Sequence, residues 1–231
     1  LFETQLERFD RPLIMGTSGF LYRSNKLMYD RRTESLWNQF TGEPVSGALR
    51  GSGIALPQRP VVIEPWGAWK ARNPATKVLD LATGYDRDYG SGVVYQAYFA
   101  SPDLMFPASV DQSRLAQKDY VFAIRQFGAA RAWDLKLFEG GAVVNDAIGD
   151  LPIVLIGDAD GRTVRAYERG GREFSAAEGG AVTVDGEVWK ADEAALTSVS
   201  GAETLPRVAG HVAYWFAWNN YLGPQGEIVT R

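Results

Sequence analysis

The amino-acid sequence predicts an α+β protein that is predominantly antiparallel β and consists of two degenerate tandem copies of one unit, a sheet closed by a short helix. The first observation is a repeated pattern: Leu56-Pro57 is followed by Trp66-x-x-Trp69, and Leu205-Pro206 is followed by Trp215-x-x-Trp218. Both parts recur at an offset of 149 residues (205 − 56 and 215 − 66), although the chain has only seven tryptophans. A repeat of this length corresponds to a supersecondary unit, so we expect the copies to pack about a pseudo-two-fold axis.

The second observation is a series of turn residues in the second half of the chain. Their spacing of roughly 10–15 residues is typical of an antiparallel meander. The uniformly apolar Ile153–Ile156 predicts a central strand covered on both faces, whereas the alternation in Thr163–Glu168 predicts a half-exposed strand. The turn residues are Gly149-Asp150, Asp160-Gly161, Gly170-Gly171 and Asp185-Gly186.

Two segments carry the boundary signals of helices. Pro65–Arg72 begins with a proline and stops at Asn73-Pro74, and His211–Tyr221 stops at Gly223-Pro224. We expect the indole rings of both segments to pack onto a sheet, because they recur on one helical face.

The repeat divides the chain into three parts. Residues 1–80 form the C-terminal part of the first copy, residues 81–118 form a connecting segment rich in Gly, Tyr and Pro, and residues 119–231 form the second copy. In this division the first copy lacks its opening strands. Because Leu1 is not a methionine, we expect a processed product or a piece of a longer protein. A long connection without clear secondary structure is typical of functional or inter-lobe segments.

The composition restricts the class of protein. With 231 residues and 45% hydrophobic content, the chain can bury a large core without cross-links. A net charge of −4 and scattered basic residues disfavour nucleic-acid binding. No apolar run approaches the roughly 20 residues of a membrane helix, and the absence of cysteine excludes disulfides and thiol chemistry. The sequence therefore predicts a soluble domain with no cofactor and no metal, and it leaves the oligomeric state open.

Several stretches resemble a single family. The most specific is Gly16–Gly42, which reads GTSGFLYRSNKLMYDRRTESLWNQFTG, and the resemblance continues through Trp66–Pro74, Thr83–Arg87 and Tyr98–Pro107. On these stretches the chain resembles the family catalogued as domain of unknown function 3179 (DUF3179) over essentially its whole length. The resemblance implies a bacterial or archaeal protein, exported to the periplasm or the extracellular space, with no established activity.

The chain departs from the family pattern at the positions that carry chemistry. The family unit opens with Trp-His-Glu and contains a Cys-x-x-Cys turn, whereas Phe138-Glu139-Gly140 and Asp158-Ala159-Asp160 stand there in this chain. The opening of the first copy would precede Leu1. One alternative function is therefore the scaffold of a metal- or thiol-dependent enzyme whose reactive residues lie upstream. Another is a structural lobe that mediates assembly through an unpaired strand edge.

Three features invite a catalytic or metal role, and each has a simpler explanation. His211 is the only histidine, and without partners a structural role is favoured. Asp158-x-Asp160-Gly161 begins like a calcium loop, but further ligands are missing and a type I′ hairpin at Asp160-Gly161 explains it better. Asp30 and Glu34 could form an acid–base pair, yet the arginines between them favour an exposed, ion-paired turn. Catalytic residues stay unassigned.

The sequence predicts a polar and aromatic site in the first copy, which retains length that the second copy lacks. We expect a concave face beside Trp37 with the mixture of polar groups and flat apolar surfaces that small-ligand pockets use, in an extracytoplasmic small-ligand-binding domain. The alternative is that Trp37 and Tyr29 belong to the core and the serines complete turns. Tyrosines of the connecting segment would cover the face: Tyr85, Tyr89, Tyr95 and Tyr98. The predicted ligand-binding residues are Ser18, Tyr22, Ser24, Asn25, Tyr29, Asp30, Trp37 and Gln39.

Overall fold

The computed structural model describes residues 1–90, 94–223 and 226–231. Within these ranges the chain is dominated by antiparallel strands, which form three sheets accompanied by a few short helices. The α+β, β-dominated class predicted from the sequence is confirmed. The tandem repeat, its pseudo-two-fold axis and the boundaries at residues 80 and 118 stay predictions.

The first sheet is an antiparallel meander whose strands are neighbours in chain order. A two-residue hairpin, Arg23-Ser24, joins its first two strands, and both residues have a positive φ, as a type I′ turn requires. On one side the sheet covers a small core around Trp37, which is 1% exposed. The strands are β1 (Met15–Tyr22), β2 (Asn25–Asp30), β3 (Leu36–Asn38) and β4 (Pro44–Ser46).

Two helices follow, α1 (Trp66–Arg72) and α2 (Gln96–Ala100). The bounds of α1 confirm the predicted helix to within one residue. The predicted packing of its indole rings on a sheet is wrong: α1 buries no residue, Trp66 is 49% exposed, and Trp69 Nε1 donates to Thr76 Oγ1 (2.9 Å). Charged contacts rather than apolar ones hold this part of the chain.

The second half contains the largest sheet. After β5 (Tyr120–Gln126), β6 (Ala129–Asp134) and a 3-10 helix at Leu135–Phe138, eight strands form one antiparallel sheet in the order β10-β11-β12-β13-β14-β9-β8-β7. These strands are β7 (Ala142–Ile148), β8 (Leu151–Asp158), β9 (Thr163–Glu168), β10 (Ser175–Ala176), β11 (Val182–Val184), β12 (Glu187–Ala191), β13 (Ala195–Ser198) and β14 (Thr204–Val208).

The chain ends with β15 (His211–Tyr214), α3 (Trp215–Trp218), a 3-10 helix at Asn219–Tyr221 and β16 (Glu227–Val229). These strands complete the sheet β15-β5-β6-β16, in which β16 runs parallel to β6. The predicted helix over His211–Tyr221 is therefore wrong in its first four residues. Their backbone groups pair with β5, and a window of four residues cannot distinguish helical from strand periodicity.

The eight-stranded sheet curls until its two edge strands approach each other. Asn145 of β7 donates through Nδ2 to Phe174 O (2.8 Å) and accepts through Oδ1 from Phe174 N (3.0 Å), just before β10. The inner face of the curled sheet encloses a core that includes Tyr167 and Trp189. The outer face packs against the sheet containing β5, around Phe122.

Burial along β8 and β9 tests two of the strand predictions. Ile153 and Val154 are both 0% exposed and belong to different cores, which confirms that the apolar run is covered on both faces. The bounds of β9 match Thr163–Glu168, but the predicted half exposure is wrong. The alternating polar position Arg165 is itself buried, because carboxylates neutralise its charge.

A network of ion pairs joins the residues before α1 to the eight-stranded sheet. The carboxylate of Glu64, whose side chain is 5% exposed, lies 2.5 Å from Arg72 and 3.6 Å from Arg165. Glu193 pairs with both Arg165 and Arg207.

No helix in the described ranges combines the length and the apolar character that a membrane crossing requires.

Candidate functional site

The structure distributes the predicted site residues over both faces of the first sheet. Met28 pairs with Trp37 across β2 and β3, and neighbours along a strand point to opposite faces. Asp30 and Trp37 therefore share one face, while Asn25 and Tyr29 lie on the other. The eight predicted residues therefore do not share one face of the sheet, and ligand binding by them stays a prediction.

Asp30 and Trp37 form the buried centre of a turn. The Asp30 carboxylate accepts hydrogen bonds from Trp37 Nε1 (2.8 Å), Thr33 Oγ1 (2.7 Å), Thr33 N (2.5 Å) and Arg32 N (3.1 Å). Burial alone would raise the pKa of Asp30, but the hydrogen bonds from Trp37 and Thr33 outweigh it and hold the pKa below its usual value. The turn is therefore buried at Asp30, not exposed as predicted, and the carboxylate is committed to it and not to an acid–base pair with Glu34.

Four more of the predicted residues belong to the sheet itself. Ser18 Oγ and Gln39 Nε2 donate to main-chain carbonyls of β2 at 2.7 and 2.8 Å. The ring of Tyr29 lies over Gly16, where an added Cβ would come within 2.5 Å of it. The Nδ2 atom of Asn25 is buried and has no hydrogen-bond partner among the described residues. Ser18, Gln39 and Tyr29 are thus engaged in contacts within the sheet, whereas the Asn25 amide nitrogen is left unsatisfied.

The tip of the β1–β2 hairpin is docked onto the residues that follow α3. Tyr22 O accepts a hydrogen bond from the hydroxyl of Tyr221 (3.1 Å), and Arg23 Nη1 donates to Asn220 O (3.1 Å). The Arg23 guanidinium also lies 5.8 Å from the centroid of the Tyr221 ring. The tip, with Ser24, is thereby held beside α3.

A cavity of about 260 Å³, here named the aromatic cleft, opens where the hairpin tip, the connecting segment and α3 meet. It combines five aromatic side chains, two of them tyrosines, with three other apolar side chains and one serine, and no charged residue lines it. Of the eight predicted site residues, Ser24 contributes to the lining. The lining residues are Leu21, Ser24, Tyr95, Tyr98, Phe99, Leu104, Met105, Phe106 and Phe216.

Lys118 holds the connecting segment at the cleft. Its ammonium group donates to the carbonyls of Tyr98 and Ser101, the latter at 2.6 Å, and lies 3.5 Å from the centroid of the Tyr98 ring. These carbonyls are at the C-terminal end of α2, where a cation is favourable. At the other end of α2, Tyr95 has a φ of 61°, a left-handed conformation that is uncommon for a residue with a side chain.

Two of the four tyrosines expected to cover the site, Tyr95 and Tyr98, line the cleft. Tyr85 and Tyr89 do not, and the hydroxyl of Tyr89 bonds to Thr83 Oγ1 instead (2.7 Å). A sequence signal for the missed residues was present, because an apolar and aromatic run is unusual in a connection without regular structure. The lining residues that the sequence did not predict are Leu21, Phe99, Leu104, Met105, Phe106 and Phe216.

A layer of tyrosines separates the cleft from a second cavity of about 210 Å³. Tyr120 donates from its hydroxyl to Tyr214 (2.7 Å), and Tyr214 stacks between Tyr120 (4.4 Å) and Phe216 (5.7 Å). In the second cavity Lys136 Nζ donates to Asp119 Oδ2 (3.2 Å). Tyr214 thus connects Tyr120, which lines the second cavity, to Phe216, which lines the cleft.

His211 lies away from the cleft in an aromatic cluster. Its ring stacks on Phe40 at 4.8 Å and meets Trp218 edge-on at 5.1 Å. Burial lowers the pKa of His211 to about 4, so the imidazole is neutral at neutral pH. These are the contacts of a core residue.

Asp158-Ala159-Asp160 lies at the connection of β8 to β9. Because Asp158 pairs with Thr163, the loop has four residues, and Arg162 takes the left-handed conformation, so the predicted two-residue type I′ turn is wrong. Ala159 N donates to Phe138 O (3.0 Å), which places the two segments that depart from the family pattern in contact. In the described part of the chain, no three His, Cys, Asp or Glu side chains gather as a metal site would require.

The family model described as "Protein of unknown function (DUF3179)" matches residues 1–225 of the 231-residue chain, so the resemblance expected from the sequence is confirmed. No curated protein and no solved structure matches the chain.

Proposed function

Since the chain belongs to the DUF3179 family, described only as a protein of unknown function, we propose from its geometry that it is a small-ligand-binding domain whose ligand occupies the aromatic cleft. The observation that carries the proposal is the convergence of three separate chain segments on one uncharged, aromatic cavity. Cavities of this composition are the usual sites of small ligands, and about 260 Å³ suits a small ligand.

Exposure of the lining supports this proposal. Phe99 is 60% exposed, Phe106 59% and Met105 51%, so a contiguous apolar surface faces water. Contiguous apolar surface of this kind marks binding sites in many proteins. A ligand that covered it would gain roughly 25 cal/mol for each Å² of apolar surface removed from water.

We further propose that the domain acts outside the cytoplasm, as the family resemblance implies. Fractionation of the source cells tests this location, and recovery of the protein in the cytoplasmic fraction alone would contradict it.

The tandem duplication also remains our proposal. Trp37 in β3 and Trp189 in β12 are each 1% exposed, at the centre of a meander that leads to a Leu-Pro pair and then to a tryptophan-bearing helix. Superposition of residues 25–46 on residues 182–198 in an experimental structure tests it. Unrelated backbone paths would contradict a common origin.

Binding of N-phenyl-1-naphthylamine, an uncharged fluorescent probe, tests the site. We expect saturable fluorescence enhancement with the wild-type protein and a loss of affinity of about tenfold in Phe99→Ala, because that substitution removes one wall of the cleft. The matched control is Phe127→Ala, since the Phe127 ring is exposed to a similar extent (61%) but lies outside the cleft. Equal affinity of the two variants would rule out the cleft as the binding site.

A further inference from the structure

We infer that the aromatic cleft selects a flat, uncharged aromatic ring that carries one hydrogen-bonding substituent. This inference rests on the proposed function and specifies its ligand class. It depends on the charges, the ring geometry and the free hydroxyl groups around the cavity.

The cleft offers no partner to a charged ligand. None of its nine lining residues is Asp, Glu, Lys, Arg or His, and burial raises the pKa of Tyr98 above its ordinary value. Two cations that adjoin lining residues are already committed: Lys118 donates to the carbonyls of Tyr98 and Ser101, and Arg23 donates to Asn220 O. A ligand charge buried in the cleft would lose its hydration without gaining a counter-ion, which strongly disfavours it.

The ring geometry favours a flat guest. Tyr98 and Phe99 lie 6.1 Å apart with an angle of 53° between their planes, so they form two inclined aromatic walls. Phe216 stacks on Tyr214 with one face, which leaves its other surfaces for the cavity. A planar ring can make stacked and edge-on contacts with these walls that a puckered aliphatic ring of the same size cannot.

Lys118 adds an electronic preference. Its ammonium lies on one face of the Tyr98 ring, 3.5 Å from the centroid, and draws π-electron density toward itself. The remaining surface of the ring is therefore less negative, and stacking on it by an electron-rich ring meets less repulsion.

Three residues that carry a hydroxyl group line the cleft. In the part of the chain that the structure describes, Ser24 Oγ and the hydroxyls of Tyr95 and Tyr98 make no hydrogen bond within the protein, although all three residues line the cavity. One hydroxyl or amide substituent on the ligand ring could use them, and it would fix the orientation of the ring.

Matched pairs of small molecules test the ligand class through displacement of N-phenyl-1-naphthylamine from the full chain. We expect 4-methylphenol to displace the probe at a concentration at least about fivefold lower than 4-methylcyclohexanol, which has the same skeleton without the aromatic ring. We expect 4-methylbenzamide to compete at least about tenfold better than 4-methylbenzoate or 4-methylbenzylamine, which are charged at neutral pH.

The variant Phe99→Leu keeps the apolar volume but removes an aromatic wall. In this variant 4-methylphenol should displace the probe at about the same concentration as 4-methylcyclohexanol, and the concentration needed for 4-methylcyclohexanol should stay nearly unchanged. Phe127→Leu should alter neither concentration. Equal competition by the aromatic and aliphatic partners, or stronger competition by a charged compound, would overturn the ligand class while the binding function stands. Absence of saturable probe binding in the wild-type protein would instead overturn the proposed function.

Discussion

At the scale of single residues, polar groups that suggested chemistry turn out to be buried parts of the framework. The four hydrogen bonds to the Asp30 carboxylate include two from main-chain N–H groups, so the charge fixes the backbone of the turn that leads into β3. The same turn positions Trp37, the largest buried side chain of the first sheet. Asp30 thus links a local turn to the core beneath it.

Replacement of Asp30 by Asn tests this role. One amide oxygen cannot accept the four hydrogen bonds, so we expect the free energy of unfolding at neutral pH to fall by about 2 kcal/mol. The pKa of Asp30 is lower in the folded than in the unfolded protein, so its contribution is present above the unfolded pKa of 3.8 and disappears as the pH falls through the folded value. Urea unfolding across this pH range measures both effects. Asp10→Asn, which alters an exposed ion pair, is the control and should change little.

Like Asp30, His211 makes the free energy of unfolding fall as the pH falls. The cause is different, because His211 is a buried neutral base and Asp30 is a hydrogen-bonded carboxylate. Its pKa is lowered to about 4 from 6.5, so the unfolded chain binds a proton more readily between these values. We expect the free energy of unfolding to decrease by up to roughly 3 kcal/mol as the pH falls from about 6.5 to 4. His211→Phe should remove this component, since phenylalanine suits the aromatic cluster and does not titrate. If urea unfolding of His211→Phe shows the same pH dependence as the wild-type protein, His211 does not contribute to it.

At the scale of elements, one side chain connects the two edges of the eight-stranded sheet. Asn145 makes both of its amide hydrogen bonds with the backbone of Phe174, as a neighbouring strand would. Unpaired edge groups are otherwise open to association with other chains. The contact also encloses the inner core around Tyr167 and Trp189.

Asn145→Ala should open this junction. Because both main-chain groups of Phe174 lose their partners, we expect a loss of about 2–3 kcal/mol in the free energy of unfolding. Amide hydrogen exchange at Phe174 should accelerate. Asn145→Asp retains an acceptor for the Phe174 N–H but no donor for the Phe174 carbonyl. Hydrogen exchange at Phe174 should therefore be intermediate between the rates in the wild-type protein and in Asn145→Ala. Unchanged protection of that amide in Asn145→Ala would contradict the proposed junction.

At the scale of the whole molecule, charged groups join parts of the chain that share little apolar contact. Glu64 precedes α1, and its carboxylate reaches Arg165 in β9. Since α1 buries no residue, these ion pairs attach the helix to the large sheet together with the hydrogen bond from Thr163 Oγ1 to Ile63 O (3.0 Å). The cleft likewise depends on distant segments, because the docking of the hairpin tip on Tyr221 positions one of its walls.

Glu64→Gln should loosen α1 from the large sheet. Loss of the charge weakens the contacts with Arg72 and Arg165, so we expect about 1–2 kcal/mol less stability and faster tryptic cleavage at Lys70 and Arg72. Glu139→Gln removes a partner of Arg231 in an exposed pair and serves as the control. Equal cleavage rates in the two variants would argue against the attachment.

Much of the fold could be predicted from local sequence patterns. The Asp185-Gly186 turn forms with a positive φ at both residues, as its composition predicts, and the apolar run in β8 is buried on both faces. The burial of Arg165 was beyond such patterns, because it depends on carboxylates supplied from residues 64 and 193. The strand at His211–Tyr214 could not be predicted for a similar reason, since its partner β5 lies about 90 residues away in the chain.

The sequence by itself determined the β-dominated class, the family and the position of α1, because each depends on residues close together in the chain. Only the tertiary structure decided which residues form the cleft. Its walls come from the hairpin tip, residues 95–106 and α3, and their convergence depends on hydrogen bonds between distant segments such as Lys118 with Ser101 and Tyr221 with Tyr22. Non-local contacts of this kind leave no periodic signal in a single sequence.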